Sequence, residues 1–195
     1  MKRSHVFLAV VAVVLAAAAV PAHGAGAPEL AASPLVRTDR TGDCVSGQGS
    51  GGPRCDLVKL KVVNKPASVK LIATYAGTPY LPLNGGGNVG LLVWNLEGAT
   101  DRTVWIANNG GGLDVEVRAE PDPGGDSVCW SGDGDLAAPV VDGQRVIVVV
   151  PRSCLGTLQD VRVFAHTERV KSPSAAVAQD RAPNTGFTAR VAVAS

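Results

Sequence analysis

The chain reads Leu-Asp-Val-Glu-Val-Arg over residues 113–118, so apolar and charged side chains alternate without interruption. Successive side chains of a β-strand point to opposite faces, and this pattern therefore predicts a strand with one face in a core and the other in water. The same period of two recurs at residues 57–63 and 69–75. Further strands are predicted at the β-branched runs 91–96, 103–107, 145–150, 160–166 and 187–193.

Turn-forming residues separate these strands, and no stretch shows a sustained helical period with caps. Asp142-Gly143 matches a two-residue hairpin in which both central residues need a positive φ. Antiparallel strands in this number require two packed sheets, because each sheet has one apolar face to bury. The sequence therefore predicts an all-β protein, a single antiparallel β-sandwich of jelly-roll-like topology. The alternative is an immunoglobulin-like sandwich, which the cysteine spacing does not favour.

The N-terminus has the three parts of a secretory signal peptide. Basic Lys2 and Arg3 precede an apolar run at residues 6–20, and small residues follow Pro21. This run is shorter than the roughly 20 residues that cross a bilayer, so a membrane anchor is the weaker alternative. We predict a signal peptide at 1–24, a low-complexity disordered lead at 25–36 and a β-sandwich domain at 37–195. The mature chain is expected to be secreted, extracellular and without a membrane span.

Charge and length limit the classes of partner. Once Lys2 and Arg3 are removed with the signal peptide, 16 basic residues face 17 acidic ones, which gives a net charge of −1. Nucleic acid is not an expected partner, because binding a polyanion requires a concentrated basic face. The remaining length suits one domain, and we expect a monomer.

The four cysteines fall into two local pairs, Cys44 with Cys55 and Cys129 with Cys154. An even number of cysteines in an exported chain predicts a disulfide framework. Each closure is worth about 3 kcal/mol on the chain-entropy model. Local pairing is the favoured connectivity, and pairings between distant segments remain open alternatives.

Aspartates on either side of the first cysteine pair form the candidate metal site. Asp39, Asp43 and Asp56 offer hard oxygen ligands in a glycine-rich region, which suits Ca²⁺. Aspartate is also a common turn former, and turn formation is the alternative role for these residues. A second acidic group, at Asp122, Asp126, Asp133 and Asp135, flanks Trp130 but matches no complete EF-hand loop.

Catalytic chemistry finds little support in the sequence. His166 is the one histidine outside the signal peptide, and we expect it to be an exposed strand residue. A zinc site needs three or four nitrogen or sulfur ligands, and the cysteines are assigned to disulfides. The segment 49–53 superficially resembles the nucleophile region of trypsin-like proteases, but no histidine base precedes it. The chain is therefore predicted not to be an enzyme.

The three tryptophans divide into two groups. Trp94 and Trp105 are flanked by aliphatic residues and are predicted to lie in the core. Trp130 follows a cysteine and opens a Ser-Gly-Asp loop, so it is the candidate ligand contact.

Three short stretches resemble the secreted, mostly uncharacterised β-sandwich proteins of high-GC Gram-positive bacteria. They are Thr41-Gly42-Asp43 with Asp56-Leu57, residues 150–156 with the strand that follows, and residues 180–183. The first stretch is also similar to the start of DOMON-like and CBM9-like sandwich modules, where aspartates near a Gly-Asp turn help to bind calcium. The resemblance implies the sandwich fold and calcium ligation through Asp39, Asp43, Asp56 and Asp180. The chain departs from the carbohydrate modules in its few aromatic residues.

These observations favour a secreted, non-catalytic module that binds an unknown extracellular protein or glycan, with Ca²⁺ as its candidate stabilising ion. One alternative is a small secreted protease inhibitor that presents the disulfide-closed loop after Cys129. The other is a carbohydrate-active enzyme that uses paired aspartates.

Overall fold

The computed structural model describes residues 30–31, 33–46, 49–50, 52–79, 89–97, 101–108, 112–119, 127–172 and 175–194. Its strands are β1 (Leu30–Ala31), β2 (Leu35–Thr38), β3 (Val45–Ser46), β4 (Gly49–Ser50), β5 (Leu57–Asn64), β6 (Ser68–Tyr75), β7 (Val89–Glu97), β8 (Arg102–Asn108), β9 (Leu113–Ala119), β10 (Ser127–Trp130), β11 (Val140–Asp142), β12 (Arg145–Pro151), β13 (Arg162–Ser172), β14 (Ala175–Ala182) and β15 (Arg190–Val191). A 3₁₀ turn (Ser131–Asp133) follows β10, and a one-turn helix α1 (Arg152–Leu155) follows β12. The predicted signal peptide lies outside the described residues.

Two antiparallel sheets pack face to face, which confirms the predicted β-sandwich. The larger sheet has the strand order β10-β9-β8-β7-β13-β14-β3-β4, and the smaller has the order β11-β12-β6-β5-β2. β1 and β15 form a separate short parallel pair, and the buried Val191 of β15 also bridges Val161, which immediately precedes β13.

The core fills the space between the sheets, as the period-two pattern predicts. In β9, Val115 and Val117 are fully buried, while Asp114 and Glu116 on the other face are partly exposed. The largest buried side chains include Trp94 from the larger sheet and Leu60 and Leu71 from the smaller. Burying an aliphatic side chain of this size contributes about 1.5–3 kcal/mol, so strands with strict alternation drive the closure of the sandwich.

Strand boundaries differ from the sequence-based expectation at the two ends of the domain. The last predicted strand, 187–193, is reduced to Arg190–Val191. The alanine-rich β14 was not expected, because alanine has little intrinsic preference for strands. It forms between β13 and β3, so the neighbouring strands supply its hydrogen-bond partners. Strand β1 and the start of β2 lie inside the segment expected to be a disordered lead, where pairing orders them.

The hairpin between β11 and β12 turns one residue later than predicted. Asp142 pairs with Arg145, so Gly143 and Gln144 are the central residues. Gly143 has a φ of +60°, and no residue other than glycine has a positive φ in the described part of the chain. Only the first central position therefore needs glycine, as in a type II′ turn rather than type I′.

Both predicted disulfides are confirmed. Cys44 and Cys55 are joined with a Cα–Cα distance of 6.0 Å, and Cys129 and Cys154 with a distance of 5.7 Å. The second bond links β10, at the edge of the larger sheet, to α1, which continues from the smaller sheet. Disulfides of this kind are typical of extracellular proteins. Among the described helices, none combines the length and apolar character that a membrane span requires.

Candidate metal centre

Four aspartates from separate segments meet at one end of the sandwich. Asp39 follows β2, Asp43 precedes Cys44, Asp56 immediately precedes β5 and Asp180 lies in β14. One carboxylate oxygen from each of Asp39, Asp43 and Asp180 lies within 4.8 Å of the other two. We name these four residues the acidic cluster. The structure thus brings together two of the three sequence-predicted candidates, Asp39 and Asp43, with Asp180, which the resemblance implied. Asp56 lies near Asp43 but is not among the residues whose oxygens could share one ion.

The first disulfide positions two members of the acidic cluster. Cys44 and Cys55 are buried, and each is bonded through the main chain to one of the aspartates, Asp43 or Asp56. At Gly42 the backbone has a φ of +86°, and its N–H donates to Oδ2 of Asp56 at 2.7 Å. Glycine adopts this conformation without strain, so the turn brings the backbone onto the buried carboxylate.

Asp180 connects the acidic cluster to both sheets. Its Oδ2 accepts a hydrogen bond from the backbone N–H of Leu57 at 2.5 Å, and its Oδ1 accepts one from the N–H of Arg181 at 2.7 Å. Leu57 belongs to the smaller sheet and Asp180 to the larger. The side chain is only 7% exposed.

Three buried carboxylate oxygens of the cluster have no hydrogen-bond partner: Oδ2 of Asp39, Oδ1 of Asp43 and Oδ1 of Asp56. Asp56 is only 2% exposed. The second oxygen of Asp43 accepts a hydrogen bond from Nδ2 of Asn184 at 2.6 Å. Ion pairs within the described residues are formed by other carboxylates, those of Glu97, Glu116, Asp142 and Asp160. Buried polar atoms normally have a partner, and either a nearby cation or a proton shared between the carboxyl groups of Asp43 and Asp56 would supply one here.

Burial raises the pKa of three members of the cluster. The pKa of Asp180 rises to about 6, chiefly through burial and further through the charges of Asp43 and Asp39. Burial also raises the pKa of Asp39 and of Asp56 above the usual range, and the charge of Asp43 adds to both shifts. Carboxylates that crowd one buried volume oppose one another's ionisation, and a bound cation would remove that opposition.

The oxygens fit Ca²⁺ by chemistry and by spacing. Calcium takes six to eight oxygen ligands at about 2.3–2.6 Å, so two ligands of one ion lie at most about 5 Å apart. The 4.8 Å limit on Asp39, Asp43 and Asp180 satisfies this condition. Mg²⁺ demands shorter bonds and near-ideal octahedral geometry, which carboxylates drawn from three separate segments meet less readily.

A surface groove of about 480 Å³ adjoins the acidic cluster. Asp43 and Asp180 form its acidic end, and Phe164, His166 and Arg181 line its wall on β13 and β14. The guanidinium of Arg181 lies 4.1 Å from the centre of the Phe164 ring. His166, expected to be an exposed strand residue, is half-buried in this wall.

The tryptophans are placed differently from one another. Trp94 is fully buried, as predicted. Trp105 was wrongly expected in the core: it lies on the outer face of the larger sheet, partly buried, between the fully buried residues Val104 and Ile106. The sequence could have predicted the outward position of Trp105. Side chains alternate between the two faces of a strand, so when both neighbours point into the core, Trp105 points outward. Trp130 is 39% exposed.

The second acidic group of the sequence does not form a comparable cluster in the described part of the chain. Asp133 and Asp135 are exposed on the 3₁₀ turn and the residues that follow it. Within the part of the chain that the structure describes, neither lies close enough to other acidic, histidine or cysteine ligands to share a metal ion with two of them. Asp122 and Asp126 lie outside the described residues.

No protein-family model matches the chain, and no match was found among curated proteins or among solved structures. The resemblance to secreted sandwich proteins therefore stays a prediction. The assignment of the acidic cluster depends on the distances, burial and unpartnered oxygens of this chain alone.

Proposed function

We propose that the protein is a secreted, non-catalytic binding module of the extracellular space, stabilised by Ca²⁺ at the acidic cluster. The observation that carries the proposal is that carboxylate oxygens of Asp39, Asp43 and Asp180 lie within ligand distance of one another, while buried oxygens of Asp39, Asp43 and the neighbouring Asp56 have no hydrogen-bond partner. A divalent cation held by Asp39, Asp43 and Asp180 would give the carboxylates of Asp39 and Asp43 the partner that their buried oxygens lack, and its charge would act on the neighbouring Asp56. The two disulfides support an extracellular location.

The ion would act as a tether between the sheets. Asp39 and Asp56 flank strands of the smaller sheet, while Asp180 belongs to the larger one. Extracellular calcium sites commonly have dissociation constants of about 10⁻⁴–10⁻³ M, so a moderate affinity suffices for occupancy outside the cell. Loading would also fix Asp43 and Asp180, which the adjoining groove shares with the acidic cluster. Occupancy of the ion site and the shape of the groove are therefore coupled.

The test is the thermal midpoint of the oxidised protein with Ca²⁺ and with a chelator. A ligand that binds only the native state at about one hundred times its dissociation constant stabilises by about 2.7 kcal/mol, a rise of roughly 5–10 °C for a domain of this size. We expect Asp43→Asn to lose most of this rise. In chelator the variant should equal or exceed the unsubstituted protein in stability, because one of four crowded charges is gone.

Asp133→Asn is the matched control, since Asp133 is an exposed aspartate outside the acidic cluster. It should keep the full Ca²⁺ response. A midpoint that Ca²⁺ leaves unchanged in the unsubstituted protein would contradict the calcium site. An equal loss of stability by Asp43→Asn with and without the ion would instead assign Asp43 a turn-forming role. A parallel series with Mg²⁺ distinguishes calcium from a general divalent effect.

A further inference from the structure

A second groove, of about 440 Å³, lies on the outer face of the larger sheet, away from the acidic cluster. Trp105 of β8 pairs with Glu116 of β9, and Glu116 pairs with Trp130 of β10, so the three residues form one row across adjacent strands. Neighbouring strands are about 4.8 Å apart, which places the two tryptophan Cα atoms about 10 Å apart with a carboxylate between them. We name this groove the tryptophan groove.

The loop after β10 holds Trp130 in place. A Cβ atom on Gly132 would lie 2.6 Å from the indole of Trp130, so glycine allows the ring to rest against the turn. The preceding residue, Cys129, is fixed by its disulfide to Cys154. The indole of Trp130 thus packs against the turn at Gly132 and follows a residue whose backbone the disulfide constrains.

Planar polar groups line the floor of the tryptophan groove. Arg118 donates from Nη2 to Oε2 of Glu116 at 2.6 Å, and its guanidinium lies 4.9 Å from the centre of the Trp105 ring. Asp114 adds a second carboxylate, which accepts a hydrogen bond from the hydroxyl of Ser131 at 3.4 Å. Two carboxylates and one guanidinium thus converge between two indoles.

We infer that the tryptophan groove binds a neutral saccharide. The apolar C–H face of a sugar ring can stack on the exposed indole of Trp130, while its hydroxyls hydrogen-bond to Glu116, Asp114 and Arg118. The cavity volume falls in the range of about 300–1,000 Å³ that small-molecule sites occupy. An organic cation fits less well, because the guanidinium of Arg118 already lies over Trp105 and neutralises Glu116. The inference rests on the proposed binding role and names its ligand class.

The test is calorimetric titration of the oxidised, Ca²⁺-loaded protein with cellopentaose, xylopentaose, chitopentaose and maltopentaose, and separately with choline. At least one oligosaccharide should give a saturating signal. Trp130→Ala should weaken it about tenfold or more through the loss of stacking. Glu116→Gln should weaken it about fivefold, since it keeps the shape but changes the hydrogen bonding.

Phe164→Ala, which removes an aromatic ring from the other groove, is the matched control and should bind as the unsubstituted protein does. The inference is overturned by a blank saccharide series, by saturation with choline alone, by full binding in Trp130→Ala, or by loss of binding in Phe164→Ala. Thermal midpoints with and without Ca²⁺ are measured on the same samples. A blank series with an intact Ca²⁺ response overturns the saccharide site and leaves the calcium proposal standing.

Discussion

Asp180 accepts a hydrogen bond of 2.5 Å from the backbone N–H of Leu57, and this bond joins the two sheets at the edge of the acidic cluster. The two residues are 123 positions apart in the chain. The same side chain therefore contributes to closing the sandwich and to the concentration of negative charge that a cation would neutralise. Its protonation and its ion occupancy are both linked to folding.

Acidification should stabilise the ion-free protein. The pKa of Asp180 in the folded state, about 6, lies above its ordinary value of 3.8. A group with a raised folded-state pKa contributes stability that is complete at low pH and lost as the pH rises through 6. We therefore expect the chelated protein to gain about 1 kcal/mol at about pH 5 relative to pH 7.5 from this group. Thermal melts in chelator at the two pH values measure the difference.

Asp180→Asn is the control for this pH dependence, because asparagine keeps an oxygen acceptor for the Leu57 N–H and does not ionise. The variant should lack the part of the pH dependence that Asp180 supplies. With Ca²⁺ present, the unsubstituted protein should instead be more stable at pH 7.5 than at about pH 5, because protons and calcium compete for the same carboxylates. A Ca²⁺-induced rise that is larger at the lower pH would contradict the assignment.

Local pattern was enough to predict the strands with strict alternation, but not the contacts between distant segments. β5, β6 and β9 follow from the period of two, because each residue's face is set by its position in its own strand. β14 has no such pattern and is ordered by its neighbours. In the acidic cluster, Asp39, Asp43 and Asp56 gather around one disulfide and were recognisable together. Asp180 joins them only through the packing of the two sheets, so its place had no local signal apart from the resemblance.

Loss of the first disulfide should reduce both the stability of the fold and the affinity of the acidic cluster for calcium. Cys44 and Cys55 adjoin Asp43 and Asp56, so Cys44→Ala with Cys55→Ala loosens two carboxylates as well as the loop. We expect a loss of about 3 kcal/mol in the free energy of unfolding and a much reduced Ca²⁺-induced rise in midpoint. Denaturant titrations with and without Ca²⁺ measure both effects.

Removal of the second disulfide provides the comparison. Cys129→Ala with Cys154→Ala opens a longer loop, with a sequence separation of 25 against 11. It should cost about 3.5 kcal/mol on the same chain-entropy model while the Ca²⁺ response persists. Equal Ca²⁺ responses in the two double variants would show that the first disulfide does not position the acidic cluster.

A buried amide connects four segments of the sandwich and should be sensitive to substitution. Nδ2 of Asn64 donates to the backbone oxygens of Gln159 at 2.9 Å and Val191 at 2.7 Å, and Arg152 donates to its Oδ1. Asn64→Ala leaves both carbonyls without this donor, and we expect a loss of about 2–4 kcal/mol in the free energy of unfolding. Gln144→Ala removes one exposed hydrogen bond, from the side-chain amide of Gln144 to the backbone oxygen of Ala76. It should cost less than about 1 kcal/mol. Similar losses of stability in the two variants would contradict the prediction that the buried hydrogen bonds of Asn64 contribute more to folding than an exposed one.

Substitution of Trp94 and of Trp105 should distinguish a tryptophan that stabilises the core from one that lines the tryptophan groove. Trp94 is fully buried in β7, so Trp94→Ala opens a large cavity and should cost about 3–5 kcal/mol in the free energy of unfolding. Its indole nitrogen is buried without a hydrogen-bond partner, so Trp94→Phe removes an unsatisfied N–H and should cost clearly less than the alanine variant. Trp105→Ala, on the outer face, should cost about 1 kcal/mol or less, because it leaves no enclosed cavity. Denaturant titrations of the three variants give the order directly. A cost for Trp105→Ala that matches Trp94→Ala would mean that Trp105 supports the fold, and its place in the tryptophan groove would then be secondary to packing.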